Sequence, residues 1–293
     1  MQQISFKALG TSWWINVNTH INIEKIQEIE PEILKTVQQF ENDYSRFKAN
    51  SKLSLLNLNR EFINPSDEFR KLIQISLDYY KTTKGLFNIG LGRILSNNGY
   101  NSNYTFKPNN VNIEGSSFNQ IPRLDELLTL KPNKIQLLEN SFDLDFGGFG
   151  KGFLIDKIFN ILIKNYNLDN FLINGGGDIR VCGNNHKIWL ANPFDNKKAL
   201  FQINLNDSES LGSSSNQLRK WDKYGHILNP NNITERSETA SFVIASNALE
   251  ADIWATIYIL ESKPNSFKTN LDYLILDKDL TPTGTQGFLN RIV

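Results

Sequence analysis

Cysteine is almost missing from this 293-residue chain: Cys182 stands alone, which excludes an internal disulfide framework and a cysteine-built zinc site. Histidine is scarce too, with only His20, His186 and His226, and no local motif assembles a nucleophilic triad. Net charge is absent, because 31 Lys and Arg balance 31 Asp and Glu. Proteins that neutralise phosphate backbones carry a basic excess, so a nucleic-acid partner is disfavoured. Long apolar runs are lacking as well. The longest, Phe242 to Leu260, is broken by Glu250 and Asp252, and no membrane span is expected. Met1 to Lys7 show no positive segment followed by an apolar run. The expectation is therefore a cytoplasmic protein, or an exported one whose signal segment is absent from this chain. Asparagine, by contrast, is abundant, at 38 residues against 16 aspartates. The 40 % hydrophobic share is that of a folded globular chain and argues against wholesale disorder.

Periodicity supplies the elements. Ile4 to Val17 alternates as strand, broken at Gly10-Thr11. Glu24 to Phe40 puts Ile26, Ile29, Ile33, Leu34, Val37 and Phe40 at helical spacing, and Pro31 predicts a kink or a late start. Ser66 followed by Asp67 and Glu68 marks a helix start, with the helix running to about Lys81. Residues 96–120, rich in Asn, Ser and Gly, read as loop. Ile135 to Phe146 alternates as a strand or hairpin, and Lys151 to Lys164 carries a helical apolar stripe. Phe171 to Gly183 reads as strand, glycine turn and strand, and Lys187 to Leu205 as two strands. Ser241 to Ala245 is a buried strand, Ala248 to Leu260 a helix and Asp272 to Leu276 a late strand. Hairpins with separated helices predict an α+β fold of antiparallel sheets packed with helices, in a single large domain over residues 1–293.

Three segments carry chemistry. In Asp145-Phe146-Gly147-Gly148-Phe149-Gly150-Lys151-Gly152, four glycines lie between a strand and a helix. Backbone freedom and open amides at a helix start, beside Lys151, would suit a pyrophosphate, and the bland alternative is a turn kept for packing. The glycine spacing is neither that of a P-loop nor that of a Rossmann fingerprint. Asp252 and Thr256 stand one helical turn apart, offering two hard oxygens of the kind Mg²⁺ takes, or else a solvated Asp and a Thr bonded to its own helix. His226, in Gly225-His226-Ile227-Leu228-Asn229-Pro230, is a candidate general base or a structural histidine, while His20 and His186 read as surface residues. Asn174-Gly175-Gly176-Gly177-Asp178 predicts a tight hairpin that could also bring backbone close to a ligand.

In order along the chain these segments resemble the FAD:protein FMN transferases, the ApbE-type flavin transferases. The likeness begins at Leu9-Gly10-Thr11 and continues through Tyr44-Ser45-Arg46-Phe47, Ser51 to Asn57 and Gly85-Leu86-Phe87-Asn88. It then takes in Asp145 to Gly152 with Asp156, Leu172 to Ile179, His226 to Pro230 and Ala248 to Thr256. The resemblance implies an ApbE-like fold and Mg²⁺-dependent transfer of FMN from FAD to a Ser or Thr hydroxyl of a target flavoprotein, releasing AMP. It implies Asp252, Thr256 and the Gly148 backbone as metal ligands and His226 as the base. FAD would be contacted by Leu9, Gly10, Thr11, Phe47, Leu86, Phe87, Asn88, Asp145, Gly147, Gly148 and Lys151. The chain departs from the family pattern at Asn88 and Asn229, where Asp is usual, and at Ser213-Ser214-Ser215, where Thr-Ser-Gly is usual. An Asn keeps the size of Asp and removes its charge. An FAD pyrophosphatase giving FMN and AMP, or a non-catalytic FAD-binding protein, are the competing expectations.

Overall fold

The computed structural model describes residues 2–19, 21, 23–103, 105–107, 121–217, 220–221, 224–233, 237–261, 266–267 and 269–293. From the N-terminus the elements are β1 (Gln2–Ala8), β2 (Thr11–Val17), α1 (Ile23–Tyr44), α2 (Lys52–Asn59), β3 (Glu61–Ile63), α3 (Asp67–Thr82) and α4 (Gly92–Asn97). Next come α5 (Leu124–Leu127), β4 (Leu128–Lys131), β5 (Lys134–Leu137), α6 (Gly150–Tyr166), β6 (Phe171–Gly175), β7 (Asp178–Cys182), β8 (His186–Asn192) and β9 (Asp195–Leu205). The chain closes with β10 (Ser210–Ser215), β11 (Lys220–Trp221), β12 (Tyr224–Gly225), β13 (Ala240–Ala245), α7 (Ala248–Leu260), β14 (Asp272–Leu276), β15 (Pro282–Gly284) and α8 (Gln286–Leu289). Among the described residues no helix is long and apolar enough to cross a membrane.

These elements form two compact units. The first comprises Met1–Phe40, Gly147–Leu218 and Ser237–Val293, and the second Glu41–Phe146 and Arg219–Arg236. The first is built on an eight-stranded sheet in the order β1-β2-β6-β7-β10-β13-β14-β15, antiparallel at every pairing. Strand alternation sorts its side chains by face. Ile179 and Val181 of β7, Leu211 of β10 and Phe242 and Ile244 of β13 share a core with Ile188, Leu190, Ile203 and Leu205 of the β8–β9 hairpin. Asp178, Arg180, Gly212 and Ser241 alternate with those residues and face α6 and α7 instead. Helix α7 is buried on nearly every side and apolar all round, as a helix enclosed by sheet and helix must be.

In the second unit, Ser66 caps α3 by accepting the Phe69 N–H, as its sequence predicts. Phe69 is fully buried, and its ring meets those of Tyr44, Phe62 and Phe146 at centroid distances of 5.5, 5.3 and 6.4 Å. A three-stranded sheet, β3-β5-β4, completes this unit's regular structure with the short β11–β12 pair.

The antiparallel α+β architecture is as the sequence implies, and several local expectations change. Pro31 does not delay α1, which is already helical at Ile23. Pro31 and Gln27 are both exposed, so water can satisfy the Gln27 carbonyl that the proline leaves without a donor. Leu34 is exposed rather than core. The strand expected over Ile135 to Phe146 stops at Leu137 and forms its hairpin with β4. Within residues 96–120, α4 extends to Asn97, and residues 104 and 108–120 lie outside the described set.

Candidate functional site

In the first unit, β7, β10, α6 and α7 bring chemistry-bearing side chains together. The β6–β7 turn is a two-residue loop, Gly176 and Gly177 at φ +70° and +102°, both in the region that glycine favours. A Cβ on Gly176 would lie 2.5 Å from Thr11 Oγ1. Asn174 Oδ1 accepts the Gly177 N–H at 2.9 Å, closing the turn that the sequence predicts. The β1–β2 turn has the same form, with Leu9 at φ +49° and Gly10 at +70°. Leu9 thus holds a conformation that costs a side chain about 1 kcal/mol or more.

Helix α7 is fixed at its N-terminus by two side chains. Asn247 Oδ1 accepts the Glu250 N–H at 2.9 Å. The Asp156 carboxylate accepts the Ala248 and Leu249 N–H groups at 2.9 and 3.0 Å and pairs with Arg180 at 2.6 Å. The first three amides of the helix are thereby satisfied. Two glycines admit its backbone: a Cβ on Gly152 would lie 2.3 Å from the Ala248 carbonyl oxygen, and one on Gly212 2.1 Å from that of Ala251.

This docking delivers Asp252, which is 1 % exposed, to the start of α6. Asp252 Oδ2 accepts the Gly152 N–H at 2.9 Å, and Oδ1 stands 3.4 Å from Lys151 Nζ. The same ammonium is in close contact with Asp178 Oδ2, while Asp178 Oδ1 accepts the Ser213 N–H at 2.9 Å. Burial pushes the Asp252 carboxyl well above its ordinary range, the Asp178 charge adds to this, and Lys151 only partly offsets both. For Lys151, burial alone would lower its pKa, but Asp178 and Asp252 together carry it upward and keep it an ammonium. One turn along α7, Thr256 Oγ1 lies 3.2 Å from Ser214 Oγ.

The donor set fits a hard divalent cation. Two buried carboxyl groups share one ammonium, and Asp252 Oδ1 is engaged only at 3.4 Å. Carboxylate, hydroxyl and backbone carbonyl oxygens are the ligands that such an ion takes. Among the described residues no group of three or more His, Cys, Asp or Glu could hold a metal, so a site here must draw on Thr256 and backbone oxygen beside Asp252.

Two expectations for the glycine-lysine segment change. None of its glycines has positive φ; Gly152 serves close packing instead. Its helix-start amides are not all open, since Asp252 takes that of Gly152. Gly147 is exposed and Gly148 half-buried in the turn before α6.

The second unit holds the remaining residues. Asp145 Oδ2 accepts Arg46 Nε–H at 2.9 Å, and the same guanidinium donates to Ser96 Oγ and to the Tyr100 carbonyl. It also lies 4.2 Å from the Phe47 ring centre, and Phe47 meets Tyr100 edge-on. The His226 ring is edge-on to Tyr100 at 6.3 Å. Leu86 and Phe87 are buried, Phe87 against Tyr79. Asn88 accepts the Gly90 N–H at 2.8 Å and donates to the Pro122 carbonyl at 3.0 Å. The second bond requires an amide, which gives Asn88 a reason of its own in this chain. Asn229 Oδ1 accepts the Asn231 N–H in a local turn.

His186 is buried, not at the surface: it begins β8, and its Nε2 lies 2.8 Å from the Cys182 carbonyl oxygen. His20 lies outside the described residues. Asp178 and Arg46 are the residues that motif reading quotes without assigning a role. For Asp178 the signal was alternation, because Ile179 and Val181 face the core and so place Asp178 on the helix face.

Fold and site together define an α+β protein whose sheet and two helices gather a buried carboxylate, hydroxyl and ammonium set at a helix start. The ApbE family model matches residues 9–269, and the chain belongs to the ApbE family. Solved structures share the fold. The ApbE protein of Thermotoga maritima is 20 % identical with a TM-score of 0.84, covering 99 % of this chain and 98 % of that one. A mutant of the flavin transferase ApbE of Vibrio cholerae is 17 % identical at 0.82, covering 99 % and 100 %. The apo flavinyl transferase ApbE of Pseudomonas stutzeri is 15 % identical at 0.80, covering 100 % and 97 %. None of the curated proteins compared with the chain matches it.

Proposed function

We propose that this protein, acting as one flavin transferase domain, moves FMN from FAD to a Ser or Thr hydroxyl of a target flavoprotein. The hydroxyl oxygen bonds to the FMN-side phosphorus, the bond from that phosphorus to the bridging oxygen breaks, and AMP leaves with that oxygen. The observation that carries this reading is the convergence of Asp252 on the glycine-lysine turn, through the Gly152 N–H bond at 2.9 Å with Lys151 beside it. Segments 100 residues apart thereby meet at the start of α6, where helix amides and an ammonium would suit a dinucleotide diphosphate.

Asp252, Thr256 and the Gly148 backbone would hold Mg²⁺, which when bound neutralises diphosphate charge. Lys151 supplies a fixed ammonium for the same charge. His226 takes the proton of the attacking hydroxyl. Leu9, Gly10, Thr11, Phe47, Leu86, Phe87, Asn88, Asp145 and Gly147 are the further FAD contacts that family membership suggests. Support comes from the family match, and from relatives of the same fold that are named flavin transferases.

The test is incubation with FAD, Mg²⁺ and a flavin-accepting domain, read as protein-bound flavin fluorescence after denaturing electrophoresis. Labelling of the acceptor is expected. Release of AMP and free FMN without an acceptor, and no labelling with one, would favour a pyrophosphatase and contradict the proposal.

A further inference from the structure

Lys151 does not sit symmetrically between its two carboxylates. Its ammonium is in close contact with Asp178 Oδ2 and 3.4 Å from Asp252 Oδ1. Asp178 is fully buried and cannot turn away, since Oδ1 is bound to the Ser213 N–H at 2.9 Å and the residue is anchored in β7 opposite Gly175. Asp252 is likewise held, its Oδ2 by the Gly152 N–H at 2.9 Å, while Oδ1 has only the longer 3.4 Å contact with Lys151. The oxygen left for any other cation is therefore Oδ1, the one toward which Lys151 would move if Asp178 released it.

We infer that Asp178 is a positioning residue that draws the Lys151 ammonium off Asp252 Oδ1 and so keeps that oxygen available to a divalent cation. The inference rests on the metal assignment of the proposed function and adds to it an internal competitor and the group that restrains it. Without the Asp178 charge, Lys151 pairs directly with Asp252, and a metal must displace an ammonium from a buried ion pair. Loss of a negative charge would also weaken cation binding through space, with or without Lys151. A double-mutant cycle separates the two effects.

The experiment measures Mn²⁺ affinity of the full chain without FAD, by electron paramagnetic resonance, in wild type, Asp178→Asn, Lys151→Met, the double variant and Asp252→Asn. Restraint of Lys151 requires Asp178→Asn to weaken binding about tenfold or more with Lys151 present, and within about threefold in the Lys151→Met background. Equal losses in both backgrounds would overturn the inference and leave Asp178 a through-space charge. Should Asp178→Asn fail to fold, Lys151→Met alone decides: Mn²⁺ must bind at least as tightly as to wild type, and about tenfold weaker binding would refute internal competition. Unchanged affinity in Asp252→Asn would instead remove the metal from this site, overturning the metal assignment and this inference together. Lost affinity there, combined with additive behaviour at 178 and 151, would overturn this inference alone.

Discussion

A methyl group at Gly152 would meet the Ala248 carbonyl oxygen at 2.3 Å and Leu249 Cα at 2.8 Å, both backbone atoms that no rotamer change can move. To regain van der Waals distance α6 and α7 must part by about 1 Å. Overpacking of this kind costs about 1–3 kcal/mol. The separation also stretches the 2.9 Å bond from the Gly152 N–H to Asp252, a buried hydrogen bond to a charged group worth about 1.5–3 kcal/mol. Better helix propensity of alanine returns up to about 1 kcal/mol. The net loss for Gly152→Ala is about 3 kcal/mol, a fall in Tm of about 5 °C for a chain of this size. Gly150→Ala is the control two residues away, where the nearest atom to a new Cβ is Phe40 Cε1 at 3.7 Å, an ordinary contact. Differential scanning calorimetry should place Gly150→Ala within about 1 kcal/mol of wild type. Equal Tm values for the two variants would refute the claim that close backbone approach positions Asp252.

The other expectations are these. His226→Ala should lower the rate of acceptor labelling by about 10²-fold or more while changing FAD affinity little, measured by single-turnover kinetics and flavin fluorescence quenching; a collapse of affinity instead would make His226 structural. Asp156→Ala removes the acceptor for two amides of α7 and the ion-pair partner of Arg180, so urea denaturation should show a loss of about 3 kcal/mol, and a change below about 0.5 kcal/mol would contradict the capping assignment. Asp252→Ala should abolish Mg²⁺-dependent labelling, and wild-type turnover would remove the metal ligand assignment.

Sequence patterns made much of the first unit legible. The β1–β2 and β6–β7 hairpins, α6, α7 and β14 lie within a few residues of where alternation and helical spacing put them, because each carries a strong apolar pattern between glycine or polar breaks. Strand β10 was not legible. Ser210-Leu211-Gly212-Ser213-Ser214-Ser215 has little strand propensity, yet it lies between β7 and β13, held by its neighbours, with Gly212 giving α7 room. The opposite error fell at Ile135 to Phe146, whose second half alternates but forms only an isolated parallel bridge, Asp143 with Leu91. There the main chain of Gly92 and Ile89 bonds the Asp143 carbonyl and the Asp145 N–H, and side chains complete the rest: Asn57 holds the Leu144 N–H and carbonyl, and Arg60 the Phe142 carbonyl.

The site was legible in part. Residue type and helical spacing put Asp252 and Thr256 on one face of α7, but could not reveal that Asp252 would spend one oxygen on Gly152. That bond depends on two helices approaching through glycine, a tertiary fact. Asp178 was hidden by its turn: Asn-Gly-Gly-Gly-Asp reads as hairpin chemistry, and the partner that gives its carboxylate a second role, Lys151, lies 27 residues earlier.

The most direct examination of the proposed site is a crystal structure with FAD and Mn²⁺, the ion located by its anomalous scattering. The account requires the anomalous peak at the Asp252 carboxylate and the Thr256 hydroxyl, with the FAD diphosphate beside it at the start of α6. A peak elsewhere, or a diphosphate ordered away from Lys151 and Asp252, would contradict it.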